Sequence, residues 1–207
     1  SQPQLAWGFY GHRLALYRNT QPHQGFQLLK QLAEQLNVPY FVFTSNVDGQ
    51  FQKAGFDPKF IYECHGSIHH IQCLDACTNE VETSDTLKPQ INSDSCDWLG
   101  NLPKCLECGG LMRPNILMFN DAAWISTQSD QQEKRLKNWL NQYRSPLVIE
   151  IGAGTAIPIV RMFSEQFSPH LIRINPREAK VAKNGGMSLS HTALNAISLI
   201  FNVLTTN

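Results

Sequence analysis

Apolar positions along this chain recur with two different periods. After Pro22, residues Phe26, Leu29, Leu32 and Leu36 return at helical spacing. The proline suits a first helical turn, and Asn37 and Pro39 close the element. Residues 40–43 are apolar throughout and predict a short buried strand, which runs into Thr44-Ser45-Asn46-Val47-Asp48-Gly49. A second apolar pair, Ile61 and Tyr62, leads into Cys64-His65-Gly66. Past Pro114, a strand is expected over 116–119. Ser129 and Gln132 have capping-box spacing, ahead of a helical face made of Leu136, Trp139, Leu140 and Tyr143. The pattern then predicts a strand over 147–151 that breaks at Gly152-Ala153-Gly154, and a helix over 157–167. A strand over 171–174 follows, ending at Asn175-Pro176, and a last helix carries Leu194, Ile197, Phe201 and Leu204.

Short strands alternating with helices imply an α/β fold with a mostly parallel sheet. Polar residues or glycines follow most strands at their C-terminal ends, where open α/β sheets bind ligands. Between Ser67 and Met112 the pattern changes. Apolar periodicity fades, and a stretch of that kind does not offset its own ordering entropy by burial.

Cysteine fills that gap. All six cysteines of the 207 residues fall between Cys64 and Cys108. Cys73 and Cys77 form one short-spaced pair, Cys105 and Cys108 another, and each spacing lets both thiolates face one point. Two such pairs complete a closed tetrahedral sulfur site for a structural zinc, which contributes on the order of 10 kcal/mol to a small fold. Disulfides or free core thiols are the plainer readings of the same residues. Gly109-Gly110 supplies the tight backbone of such a knuckle. Cys64 is expected as a buried strand-end residue and Cys96 as an exposed loop thiol. His69 and His70 are expected on the surface of the inserted stretch.

Charge narrows the function classes. Lys plus Arg and Asp plus Glu each number 17, for a net charge of zero, so no basic field draws the chain to nucleic acid or to an acidic membrane. No apolar run reaches the roughly 20 residues of a membrane span. No signal segment is evident, and a cytoplasmic location is expected.

Three stretches in order and register resemble the sirtuin family. Thr44-Ser45-Asn46-Val47-Asp48-Gly49 with Ala54-Gly55 is similar to T-Q-N-I-D-G…A-G. Glu63-Cys64-His65-Gly66-Ser67 is similar to E-x-H-G-S. The cysteine quartet is followed by Arg113 to Asp121, similar to R-P-x-x-V-x-F-G-E. The resemblance runs from about Pro22 to Leu204. It implies a Rossmann-like, mostly parallel sheet with helices on both faces and a small inserted zinc-binding module. The expected organisation is a discontinuous NAD-binding domain over 1–66 and 113–207, with the module at 67–112.

The family's activity is NAD-dependent protein lysine deacylation, a transfer of the acyl group to ADP-ribose with release of nicotinamide. The resemblance makes His65 the catalytic base, and a histidine with an unperturbed pKa near 6.5 suits that work at neutral pH. It assigns Ser45, Asn46, Val47 and Asp48 to the nicotinamide side of NAD. Gly152, Ala153 and Gly154 fall at the family's second nucleotide loop, and Asn175 at its ribose-binding strand end. Ile116, Leu117 and Phe119 would lie along an acylated-lysine protein or peptide, pairing with it as an added strand. Without the motifs, Gly152 to Gly154 is a plain tight turn, and Asn175 before proline an ordinary one.

Three departures bear on this. Ser45 replaces the family's glutamine. Phe119-Asn120-Asp121 replaces F-G-E, losing a glycine. Nothing before Pro22 resembles the family's G-A-G-x-S phosphate loop, so an N-terminal truncation is expected, with weak NAD binding by this chain alone. Mono-ADP-ribosyl transfer, NAD hydrolysis and a non-catalytic zinc-stapled binding module remain as alternatives.

Overall fold

A computed structural model describes residues 2–205. The chain divides into two compact units. One comprises the residues through Gln21, Asn46–Lys53 and Tyr62–Glu133; the other comprises Pro22–Ser45, Ala54–Ile61 and the residues from Lys134 onward.

The first unit opens with helix α1 (Pro3–Asn19), which no apolar period predicts. Its buried face is Trp7, Gly8, Gly11 and Leu14, a helical stripe in which two of the four positions are glycine. Those glycines let the helix sit against backbone and ring: a Cβ on Gly8 would lie 1.6 Å from the Cys96 carbonyl oxygen, and one on Gly11 would lie 2.8 Å from the Trp98 ring. Leu5, Phe9 and Leu16 are exposed. The helix therefore buries small residues and shows large ones, which hides its amphipathicity.

Trp7 meets Trp98 edge-on at 5.7 Å and donates its indole N–H to Met112 O at 3.0 Å. With Ile71, Cys73, Cys105 and Met112 these rings form the unit's core, and Leu87, Ile91 and Leu102 pack against it. At the end of α1, Arg18 donates to Leu87 O and Ser84 O, both at 2.7 Å. The cysteine-rich stretch thus has an apolar core that its own pattern does not show, because α1 supplies Trp7 at its centre and packs its glycines on Trp98 and Cys96.

The other elements of this unit are α3 (Gln50–Lys53), β3 (Gly66–Cys73), β4 (Val81–Thr83) and β5 (Met112–Ile116), with most of β2 (Ile61–Glu63) and the start of α4 (Thr127–Gln142). β3 is central in an antiparallel sheet ordered β4-β3-β5. Gly66 faces Ile116 and Cys73 faces Met112, with a bulge between Ser67 and Ile71. β5 ends where the sequence pattern predicts a strand to begin: Leu117, Met118 and Phe119 lie beyond it. The capping box also resolves differently. α4 starts at Thr127, Ser126 Oγ donates to Asp130 Oδ2 at 2.7 Å, and Ser129 and Gln132 turn to Glu63 instead.

The second unit contains α2 (Gln24–Gln35), β1 (Val42–Thr44), β6 (Val148–Ile151), α5 (Ile159–Ser164), β7 (Leu171–Ile174), β8 (Met187–Leu189) and α6 (Ala193–Thr205). His23 caps α2 by accepting Gly25 N–H on Nδ1 at 3.0 Å. β6, β7 and β8 form a parallel sheet in that order, the architecture expected from the alternating pattern. Helices cover both of its faces. On one, Ile149, Ile151, Ile172 and Ile174 meet Leu28 and Leu29 of α2 and Ala196 and Ile197 of α6. On the other, Glu150 and Arg173 face each other across β6 and β7. Arg173 reaches Glu150 at 2.5 and 2.9 Å and the exposed Glu165 at 2.9 Å, and Ser164 of α5 donates to Glu150. Burial opposes the Arg173 charge, but the hydrogen bonds to Glu150 and Glu165 outweigh it and raise its pKa.

Removing one partner strands the other charge in the sheet. Glu150→Leu is therefore expected to cost about 3–5 kcal/mol in urea unfolding of the whole chain, and a loss under about 1 kcal/mol would show that Glu165 suffices as a partner.

Candidate active site and metal centre

The four cysteines of the two short-spaced pairs converge. Cys73 closes β3, and Cys77 follows a turn through Ala76 at φ 47°. Gly109, at φ 70°, allows the second knuckle to fold back so that its N–H bonds Cys105 O at 2.9 Å. All four sulfurs lie within 4.8 Å of one another. Cys73 and Cys108 are 3.6 Å apart, and Cys77 and Cys105 are 3.5 Å apart. A tetrahedral zinc with bonds of about 2.3 Å requires sulfur–sulfur edges of about 3.8 Å, so the donor set and its spacing fit that ion.

The electrostatics point the same way. The Cys77 N–H and neighbouring backbone groups pull the Cys73 thiol down to about 7, whereas sulfur contacts push Cys77 up. Four thiolates so close need a cation between them. Cys64 behaves as expected for a buried strand-end thiol, pushed up to about 12 by burial. Cys96 is exposed.

His65 sits half-buried in the turn between β2 and β3. Its carbonyl accepts Leu117 N–H at 2.9 Å, which joins the histidine turn to the segment beyond β5. Gly66 makes this possible: it adopts φ 74°, and a Cβ there would lie 2.1 Å from the Asn115 carbonyl oxygen. Asn115 is held in turn. Its amide donates to Gln72 Oε1 and Ile125 O, both at 2.8 Å, and Gln72 donates to Ala123 O at 2.7 Å.

Beyond Leu117 the chain turns outward, and Phe119 is 86% exposed. Asn120 takes φ 57°, a left-handed conformation that asparagine tolerates better than other non-glycine residues. The missing family glycine therefore leaves the turn intact. Asp121 closes it by pairing with Arg113 and accepting Met118 N–H.

Asp48 belongs to the same unit. Its Oδ1 accepts Gln50 N–H at 3.0 Å, and its carbonyl accepts His69 Nε2–H at 3.0 Å. Val47 O accepts Ile68 N–H at 3.0 Å. The bulge in β3 thus turns Ile68 and His69 onto the Val47–Asp48 loop. His69 is a half-buried support for that loop rather than a surface residue, a role with no sequence signal beyond its nearness to His65. Asn46 is exposed in the same loop.

In the second unit, Ser45 follows β1. Gly152 takes φ 68°, and a Cβ on Gly152 or Gly154 would meet open space. Ala153 O accepts from Arg161 at 2.8 and 3.0 Å and from Asn175 Nδ2 at 3.1 Å. Asn175 also caps the turn after β7, accepting the Arg177 and Glu178 N–H groups at 2.9 Å. The structure thus brings Gly152, Ala153, Gly154 and Asn175 together as one braced loop pair. Arg161 of α5, 8% exposed, braces it.

In the first unit a four-sulfur centre and a histidine turn stand at opposite ends of β3; in the second, the parallel strands β6 and β7 run out into glycine and asparagine, and together these define an α/β chain with a candidate metal centre. The Sir2 family matches residues 1–141, and the chain belongs to that family. It is 26% identical over 204 residues to the NAD-dependent protein deacylase of Aquifex aeolicus, covering 98% of this chain and 77% of that one. It is 31% identical over 192 residues to NAD-dependent protein deacylase 1 of Archaeoglobus fulgidus, covering 90% and 69%. A solved Sir2 homologue in complex with NAD superposes with a TM-score of 0.71 at 22% identity, over 99% of this chain and 73% of that one, a likeness of fold. Among the described residues, no helix is long and apolar enough to cross a membrane.

Two predictions follow from the geometry. Purified protein should carry a single zinc by elemental analysis, and Cys105→Ser should lose it and lower the thermal midpoint by about 10 °C or more; metal-free protein of unchanged midpoint would count against the centre. Asn120→Gly should be neutral, whereas Asn120→Val should cost about 1–2 kcal/mol in denaturant unfolding, because valine resists positive φ.

Proposed function

We propose that this chain carries the catalytic core of an NAD-dependent protein lysine deacylase acting on acylated-lysine proteins or peptides. The observation that supports this most directly is the placement of His65. Its turn is fixed through its carbonyl to Leu117, while no hydrogen bond engages its ring among the described residues. A ring held this way is available to accept a proton from a ribose hydroxyl.

In this reading Asn46 and Asp48 hold the nicotinamide amide, with Ser45 and Val47 completing that wall. Gly152, Ala153 and Gly154 present bare backbone to the nucleotide, and Asn175 orients the loop. Ile116, Leu117 and Phe119 line the path of the peptide. NAD, when bound, would supply the ribose whose bond to nicotinamide breaks and whose hydroxyl receives the acyl group. The 67–112 stretch serves as a zinc-binding module inserted in a discontinuous NAD-binding domain. Thiolate ligation suits a reducing compartment, which favours the cytoplasm.

The test is product analysis by mass spectrometry with NAD and acetyl-lysine peptide. O-acetyl-ADP-ribose and free lysine peptide are expected, and His65→Ala should lower the rate about 10²–10⁴-fold with zinc content unchanged. Free ADP-ribose with untouched peptide would favour hydrolysis instead. Turnover near wild type in His65→Ala would remove that residue from the mechanism.

A further inference from the structure

One carboxyl group in the first unit has no part in this scheme. Glu63 ends β2, two positions before His65, and is 3% exposed. α4 grips its backbone from both sides: Gln132 Oε1 accepts its N–H and Ser129 Oγ donates to its carbonyl, each at 2.9 Å. Its side chain is approached by Gln52 of α3, Gln132 of α4 and Ser67 of β3. Yet its Oε1 is buried with no hydrogen-bond partner among the described residues.

The charges around it offer no compensation. The charged neighbour from the loop before α3 is Asp48, of the same sign. Lys53 of α3 is committed to the carbonyls of Arg18 and Thr20, each at 2.6 Å. Asp130 and Glu133 of α4 bear on Tyr62. On β3 the facing group is the neutral Ser67. Burial, with a smaller push from Asp48, raises the Glu63 pKa against the pull of the amides and hydroxyl. A buried carboxyl without a cation holds its proton.

We infer that Glu63 is a positioning residue for the reaction: its buried carboxyl fixes the turn that carries His65 against α3 and α4. The inference rests on His65 being the base. Gln52 extends from α3, whose first N–H is capped by Asp48 Oδ1, so Glu63 connects the two loops that carry Asp48 and His65. Burial favours its neutral form. Gln52, Gln132 and Ser67 meet its carboxyl, while Oε1 is left without a partner among the described residues. Ionisation places a second negative charge near Asp48 in a volume with no counter-ion, and the turn must shift to hydrate it. Activity should therefore fall as pH rises through the raised Glu63 pKa.

Folding stability should show the same sign. Below the unfolded carboxylate pKa, about 4.3, both states hold the proton and burial costs no charge. Between that value and the raised folded pKa the unfolded chain ionises while the native state keeps its proton, so stability falls as pH rises, and the loss is complete above the folded pKa. Glu63→Gln removes that loss.

The experiment compares wild type, Glu63→Gln and Glu63→Leu in the same full chain. Three quantities are read: the His65 ring resonance titrated by NMR, the thermal midpoint against pH, and kcat and KM for NAD with acetyl-lysine peptide. Glu63→Gln should lose the alkaline limb of kcat and gain thermal midpoint over wild type at pH 8, a gain that fades below about pH 4.3. Glu63→Leu should lower kcat about tenfold with KM for NAD within about twofold and zinc retained. In wild type the His65 resonance should show an added inflection that Glu63→Gln abolishes. That readout needs no turnover, so a chain without deacylase activity defeats the functional reading while still testing Glu63. Superimposable His65 titrations in all three proteins, or a midpoint difference independent of pH, would overturn the inference.

Discussion

The antiparallel pairing of β3 with β5 is the constraint on which the first unit depends. Its two ends carry different chemistry. At one end Cys73, opposite Met112, delivers a sulfur to the metal centre; at the other Gly66, opposite Ile116, follows the turn of His65. The close approach of Gly66 to the Asn115 carbonyl leaves no room for a side chain. The bulge between these ends directs Ile68 and His69 to the Val47–Asp48 loop. One strand therefore sets the position of a zinc ligand, the candidate base and the loop proposed for nicotinamide. A zinc that closes the far end of β3 stabilises the register of the whole ladder, and a one-residue slip would reverse every side chain on it.

Buried polar groups determine how firmly these parts are held. Gln72 and Asn115 are almost fully buried and well satisfied, and they tie β3 and β5 to Ala123 and Ile125. Glu150 and Arg173 do the same for β6 and β7 in the second unit, where Ser164 and Glu165 complete the network. Networks of this kind fix one geometry because every alternative leaves a donor or acceptor unpaired. Glu63 differs from both. Its carboxyl keeps an orphaned oxygen, and it lies beside the candidate site rather than in the framework. Its uncompensated oxygen lies two residues before His65, where β2 runs into the turn between β2 and β3.

The zinc-binding stretch illustrates how composition misleads about cores. Its own sequence is polar, and by composition alone metal is its sole support. The structure adds Trp7 from α1, which lies far away in sequence, and Trp98 closes with it over Cys73, Cys105 and Met112. Metal and apolar burial act together in this unit.

Local chemistry was legible in the sequence. The cysteine pairs, the helix over Gln24–Gln35, the parallel strands β6 and β7 and the final helix all follow from spacing, because ligand geometry and amphipathic period act over a few residues. The motif around His65 was legible for the same reason. What required the tertiary structure was every feature set by a distant partner. α1 was hidden because its buried face is half glycine, chosen to fit Cys96 and Trp98. β5 ends at Ile116 because Leu117 is drawn to His65 and Asp121 closes the next turn. Ser129 and Gln132 serve Glu63 rather than a helix cap. Resemblance and spacing identified the residues that carry chemistry; packing partners far along the chain decided which way they face and what holds them there.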